Sequence, residues 1–308
     1  MKALVTGGAG FIGSNLVRLL VEKKHSVTVL DNLSTGHLSN LGPFPSVKFI
    51  KGDIRDERTI SRALRGVDIV FHLAASVGNS LSIKAPVYDS ETNVLGTLKL
   101  LRAAHQNRIK KIVYSSSAGI LGELKELPIN ENHPTNPISP YGVSKLAAEK
   151  MCLVYNSLYG MKNVCLRYFN VYGINQRYDA YGNVIPIFAR RIIRKQPLFV
   201  FGDGYQTRDF VNVIDVAKAN YQAAITGKVA GAFNIASGAS ITINKLANMM
   251  MQTARTTVPL QHKKPRLGDV RDSLANISAA RKAFGFKPSV SLEEGLKKYM
   301  SWASQNRF

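Results

Sequence analysis

The residues whose types and spacing could do chemistry are Tyr141 and Lys145, four apart in the run SPYGVSK. On a helix, side chains four positions apart share a face. The spacing therefore predicts an ammonium beside a phenol, lowering the phenol pKa toward working pH and making a phenolate available as a base. Of the twelve tyrosines, Tyr141 alone is followed by lysine at the fourth position. Ser115, Ser116 and Ser117 end a preceding apolar run. A hydroxyl there is placed to bind a substrate oxygen that the tyrosine deprotonates. A solvated helix face and a strand-end serine satisfied by its own turn are the plainer alternatives.

A second cluster points to a ligand for that chemistry. In KALVTGGAGFIG an apolar run is followed at once by Gly7, Gly8, Gly10 and Gly13, and then by an apolar-periodic segment beginning at Phe11 and Ile12. Strand, glycine turn and helix in that order form a dinucleotide cradle: the glycines admit a pyrophosphate and the helix N-terminus supplies free N–H groups. Asp31 ends the next apolar run, about 20 residues past the glycines, where a carboxylate accepts from ribose hydroxyls and repels a 2′-phosphate. NAD is therefore expected over NADP.

To position these groups, strands are predicted over 2–5, 27–30, 47–50, 69–73, 112–115 and 164–167, and helices over 11–23, 57–64, 87–106 and 141–159. Alternation of this kind specifies an α/β, Rossmann-type, doubly wound parallel sheet, with ligands outside the carboxyl ends of its strands. Past residue 170 the pattern loosens. Short strands are expected near Phe199, Phe210 and Phe233, with helices over 184–195, 215–225, 243–253 and 292–302. The expected division is an NAD-binding domain over 1–170 and a smaller C-terminal α/β substrate-binding lobe over 171–308, some of whose elements return to the main sheet.

Composition narrows the classes. Apolar residues make up 45% of the chain, enough for a large core. No hydrophobic run reaches membrane-spanning length, and a first strand starting at residue 2 leaves no room for a signal peptide. A cytoplasmic protein without membrane insertion is expected. Cys152 and Cys165, the two cysteines, have no metal-ligand spacing and read as reduced core thiols; no metal is expected. The formal net charge is +21, which favours anionic partners such as nucleotides. The bases are scattered, and nucleic acid is not the expected partner.

The motifs TGGAGFIGSNL, DNLSTG, GDIRD, HLAA, YSSSAG, PYGVSK, LRYFNVYG, GDGYQTRDFVNV and PRLGD, in this order along nearly the whole chain, resemble those of the extended short-chain dehydrogenase/reductase superfamily. The nucleotide-sugar 4-epimerases of the UDP-galactose or UDP-N-acetylhexosamine type are the most similar branch. The resemblance implies NAD held by Gly7, Gly10, Phe11, Ile12 and Gly13, with Asp31 and Asn32 on the adenosine ribose. It implies Asp53 and Ile54 at the adenine, and Ala74, Tyr168, Tyr141 and Lys145 on the nicotinamide side. Tyr141 would be the acid/base, Lys145 its tuning partner, and Ser117 the ligand of the sugar oxygen. Asn170, Asn183, Arg208, Arg266 and Asp269 would hold UDP. Ser273 matches a position beside the sugar C2 substituent, where a small residue admits an N-acetyl group and a tyrosine excludes it.

Departures from the pattern are Leu121-Gly122, where a tyrosine usually precedes the glycine, and Gly78-Asn79-Ser80 near the sugar diphosphate. Ala118-Gly119 stands where related 4,6-dehydratases carry an Asp-Glu pair, so elimination of water lacks its acid and base. The implied reaction is reversible C4 epimerisation of UDP-hexoses through a 4-keto sugar, with no net redox. A UDP-glucuronate epimerase or decarboxylase is the alternative on the same scaffold, and a catalytically idle nucleic-acid-binding Rossmann protein is the alternative from another class. A homodimer is implied, paired through the helices over 87–106 and 141–159.

Overall fold

The computed structural model describes residues 1–178, 183–265 and 270–306. Within them the strands are Lys2–Thr6 (β1), Ser26–Asp31 (β2), Lys48–Lys51 (β3), Ile69–His72 (β4), Ile112–Ser117 (β5), Val164–Tyr168 (β6), Asn170–Tyr172 (β7), Leu198–Phe201 (β8), Thr207–Asn212 (β9), Gly231–Ile235 (β10), Ser240–Thr242 (β11) and Leu260–Lys263 (β12). The helices are Phe11–Glu22 (α1), Glu57–Ala63 (α2), Asn79–Lys84 (α3), Pro86–Ser90 (α4), Thr97–Gln106 (α5), Pro140–Tyr159 (α6), Val184–Ile193 (α7), Val213–Ile225 (α8), Ile243–Thr253 (α9), Ser278–Phe284 (α10) and Leu292–Gln305 (α11).

Seven strands form one sheet in the order β10-β6-β5-β4-β1-β2-β3, and every neighbouring pair is parallel. Both faces of such a sheet are covered, so β4 is buried at all four positions. Successive β1 side chains point to opposite faces: Ala3 and Val5 join Leu16 and Leu20 of α1 and Val216 of α8. Leu4 joins Ile60 of α2, Leu100 of α5 and Ala148 of α6. A third core, with Phe188, Phe210, Leu246 and Leu296, lies under the C-terminal elements. There β11-β9-β7 and β12-β8 form two small sheets.

The strand expected near Phe233 is β10, and it pairs with β6 in the main sheet, so the chain crosses back after β9. Short elements that periodicity does not mark, namely α3, α10, β7, β11 and β12, complete the fold. The single helix expected over 87–106 is instead α4, a wide turn of π-helix at Glu91–Gly96, and α5. Such turns redirect side chains within a helix, and Asn93 sits in this one. α6 starts sharply because Ser139 accepts from the Gly142 N–H and Pro140 occupies the first position. It ends at Gly160, which has φ 65°.

Candidate active site

The glycine loop lies at the carboxyl end of β1. Gly7 has φ 71°, and a Cβ on it would lie 2.6 Å from the Ala74 nitrogen; one on Gly13 would collide with the Gly7 carbonyl oxygen. Close approach of loop, α1 and the β4 end thus requires glycine. Gly10 is the N-cap of α1, with no side-chain cap and no acidic residue in the first turn. The first N–H groups of α1, at Phe11 and Ile12, are therefore open to an anion without competition from a side-chain cap or an acidic residue in the first turn.

Asp31, at the end of β2, accepts from the Ala9 N–H at 2.9 Å and the Leu33 N–H at 2.8 Å, one on each oxygen. It fixes the glycine loop and keeps lone pairs for a diol. Asn32 donates to Asp53 at 2.9 Å. Asp53 also takes Arg55 in a two-point pair at 3.0 and 2.9 Å. Burial raises the Asp53 pKa, but the Arg55 and Asn32 hydrogen bonds outweigh it and hold the carboxyl at about 2. Ile54 is buried beside it. These features fit a dinucleotide: an open helix terminus, a close backbone cradle and a carboxylate with spare acceptor capacity.

Ser117 ends β5 and accepts from the Gly119 N–H at 3.0 Å, so it caps its own turn. Its proton remains available, and the hydroxyl favours the ionised form of Tyr141. Tyr141 and Lys145 stand on α6 as the spacing required, but the expected depression of the phenol pKa is not found. Burial raises it, ahead of the opposing Ser117 effect, and the negative Asp89 raises it further. The physical reason is where the ammonium lies: Lys145 Nζ is 4.5 Å from the centre of the Tyr114 ring. Lys145 is itself 2% exposed, and burial lowers its pKa to about 8.

Two buried networks support the pair, and neither was among the residues expected from the sequence. His72 at the end of β4 bridges Thr6 (2.7 Å) and Thr97 (2.9 Å). Thr97 donates to the Asn93 carbonyl at 2.6 Å, so it accepts from His72 Nε2–H, and Nδ1 accepts from Thr6. Burial, then the Lys145 charge, lowers the His72 pKa to about 3, which keeps the ring neutral. In the second network Ser144 donates to Asp89 and lies 3.0 Å from the Tyr141 carbonyl. Asn93 donates to Asp89, Ser144 and the Ser76 carbonyl, and accepts from the Ser76 N–H at 2.8 Å. The available signal was the pair Asp89 and Asn93, four apart in a segment expected to be helical.

The other expected site residues are dispersed around this centre. Ala74 follows β4, its N–H 3.3 Å from the Thr6 hydroxyl. Tyr168 pairs with Ser117 in the sheet, but its hydroxyl donates to Asn220 of α8 at 2.9 Å. Contact with a cofactor is thus left to its ring or backbone. Asn170 donates to the Asp209 carbonyl at 3.1 Å, and Asn183, at the N-cap position of α7 without a side-chain cap, donates to the Val171 carbonyl at 3.4 Å. Arg208 donates to the Thr207 and Arg271 carbonyls. Arg266 and Asp269 lie outside the described residues.

Ser273 is 7% exposed, and among the described residues its hydroxyl makes no hydrogen bond. Its register is fixed on both sides. Thr207 bonds the Arg271 carbonyl and the Asp272 carboxylate, while the Ala275 N–H reaches Asp209 and the Leu274 carbonyl accepts from Ile129.

A family profile for the NAD dependent epimerase/dehydratase family matches residues 3–236. The chain belongs to this family. Among solved structures it superposes with a TM-score of 0.94 and 38% identity on the UDP-glucose 4-epimerase of Thermotoga maritima with UDP-glucose, over 99% of both chains. It matches the UDP-N-acetylglucosamine 4-epimerase of Methanobrevibacter ruminantium M1, in complex with UDP-N-acetylmuramic acid, at 0.94 and 36%, covering 98% of this chain and 97% of that one. The Thermus thermophilus UDP-glucose 4-epimerase in complex with NAD matches at 0.91 and 36% over the whole of both chains.

Proposed function

We propose that this protein catalyses the reversible, NAD-dependent inversion of C4 in UDP-hexoses. The observation that carries it is the convergence of Ser117, Tyr141 and Lys145 at the carboxyl ends of the sheet, beside the glycine loop, in a chain of the NAD dependent epimerase/dehydratase family. Gly7, Gly10, Phe11, Ile12 and Gly13 would hold the pyrophosphate. Asp31 and Asn32 would take the adenosine ribose, and Lys145 the second ribose. Bound NAD supplies a hydride acceptor at the sugar C4 and positive charge near the phenol. Ser117 orients O4 through its free proton, and Tyr141 takes the O4 proton as C4 is oxidised and returns it when C4 is reduced on the other face. With a phenol pKa raised by burial, proton removal depends on nearby positive charge, which Lys145 maintains below about pH 8.

Substrate breadth is set on the far wall. Asn170, Asn183 and Arg208, with Arg266 and Asp269, are the UDP ligands in this proposal. Ser273 leaves room for a C2 acetamide because a hydroxymethyl occupies far less space than a phenol ring and, among the described residues, its hydroxyl makes no hydrogen bond. UDP-N-acetylglucosamine and UDP-N-acetylgalactosamine are therefore substrates alongside UDP-glucose and UDP-galactose. The working form is a homodimer in the cytoplasm; among the described residues no helix is long and apolar enough to cross a membrane.

The test is C4 inversion followed by proton NMR on both substrate pairs, with NAD assayed after denaturation. Ser273→Tyr is expected to abolish turnover of the N-acetylated pair and spare the plain pair. Wild-type protein that inverts UDP-galactose but neither N-acetylated sugar overturns the assignment of Ser273; inversion of none overturns the epimerase.

A further inference from the structure

Two charges are buried close to the reacting centre without an opposite charge in contact. Asp89 on α4 is fully buried, and among the described residues its carboxylate accepts only from neutral donors, Ser144 and Asn93. Lys145 on α6 is 2% exposed and, among the described residues, makes a ring contact with Tyr114 and no hydrogen bond. Each alone is costly, because an ion taken out of water must recover its solvation from somewhere. The buried carboxylate of α6 itself already has its cation: Glu149 pairs with Arg167 at 2.7 Å. α4 packs directly on α6, and Ser144, the residue before Lys145, donates to Asp89.

We infer that Asp89 is the counter-charge of Lys145: a positioning residue that keeps the ammonium protonated inside the fold and, through Ser144, holds the turn of α6 bearing Tyr141. The inference rests on the epimerase assignment for its catalytic consequence and on the buried charges for its physical one. The other titratable groups near Lys145 do not replace it. Burial pushes the Tyr114 phenol of β5 and the Cys165 thiol of β6 well up, so both are uncharged at neutral pH; Cys152 of α6 is a buried thiol, His72 of β4 is a neutral ring, and Glu149 is paired with Arg167. Toward solvent, Lys84 of α3 is exposed and screened. The field of Asp89 favours the ammonium and disfavours the phenolate. The arrangement thus protects the cation at the expense of the base.

Asp89→Asn removes the charge and keeps the shape. Both limbs of the pH profile of kcat/KM are expected to move to lower pH by about half a unit or more, the alkaline limb reporting Lys145. Ser144→Ala deletes a hydrogen bond but no charge, and should lower the rate with both limbs in place. A second readout needs no turnover: trace acetylation of Lys145 across pH in the full-length protein, read by mass spectrometry, should show its titration midpoint fall in Asp89→Asn. Where that variant folds poorly, Asp89→Ser removes the same charge and still accepts from its neighbours. A midpoint and limbs unmoved in both variants overturn the inference. A moved midpoint in a protein that inverts no sugar sustains it and overturns the epimerase instead.

Discussion

Tyr141 and Lys145 lie four residues apart, yet the structure gives them different environments and hence separable phenotypes. Tyr141→Phe deletes only the titrating oxygen, so kcat should fall by about 100-fold or more with NAD retention intact. Lys145→Ala removes the proposed ribose ligand as well as a charge, and should lose both activity and bound NAD. Measuring NAD released on denaturation distinguishes the two; near-normal turnover in Tyr141→Phe would show that another group is the base. The pH dependence follows from burial of the ammonium. With a lowered pKa of about 8, Lys145 is charged below that pH and neutral above it. The kcat/KM of the wild-type protein should therefore decline as pH rises through 8. A profile flat to pH 10 would mean that the ammonium is not needed.

At the scale of elements, α6 is the axis of the site, and a buried ion pair ties it to the sheet. Glu149 receives Arg167 of β6 and the Ser116 hydroxyl of β5 at 2.6 Å, and Arg167 also reaches the Glu131 carbonyl at 3.0 Å. Removing one partner leaves the other charge buried and alone. Glu149→Gln should therefore lower unfolding free energy by about 3 kcal/mol, measured by denaturant titration; a loss under about 1 kcal/mol would mean that water reaches the pair. The main elements were legible in the sequence because α1 buries a stripe at helical spacing and strands such as β4 are short continuous apolar runs. The helix expected over 141–159 is α6, and its sharp start comes from the Ser139 cap and Pro140. What escaped is short or non-local: α3, β7 and β11 are too brief to show a period. The crossing of β10 back to β6 is decided by a sheet edge left open upstream of it. Tyr141, Lys145 and Ser117 could be found by spacing and motif. Asp89, His72 and Asn93 act through hydrogen bonds between elements, which spacing along the chain does not display.

For the whole molecule, α6 has a buried side and an exposed apolar side. At roughly 100° per residue, Tyr141, Lys145, Glu149 and Cys152 fall on one side, toward the sheet. Val143, Met151, Val154 and Leu158 fall nearly opposite and are exposed, Leu158 at 67%. The neighbouring helices add Ile83 of α3, Val87 of α4 at 70% exposed, and Leu95. A face this apolar, continuous across adjacent helices, is a cover site rather than a solvated surface. In the homodimer proposed above, a second copy would supply the matching stripe through a two-fold axis, bringing α6 and the α4–α5 region of each chain together as four helices. Because the opposite side of α6 carries Tyr141 and Lys145, such pairing would also stiffen the helix on which the proposed chemistry depends. Leu158→Glu places a charge in the middle of that contact. It should convert a dimer mass in light scattering to a monomer at micromolar concentration, with a lower melting temperature and weaker NAD retention. A wild-type mass that stays monomeric at all concentrations would leave the stripe without this partner, and a Leu158→Glu protein that remains dimeric would move the interface to another face.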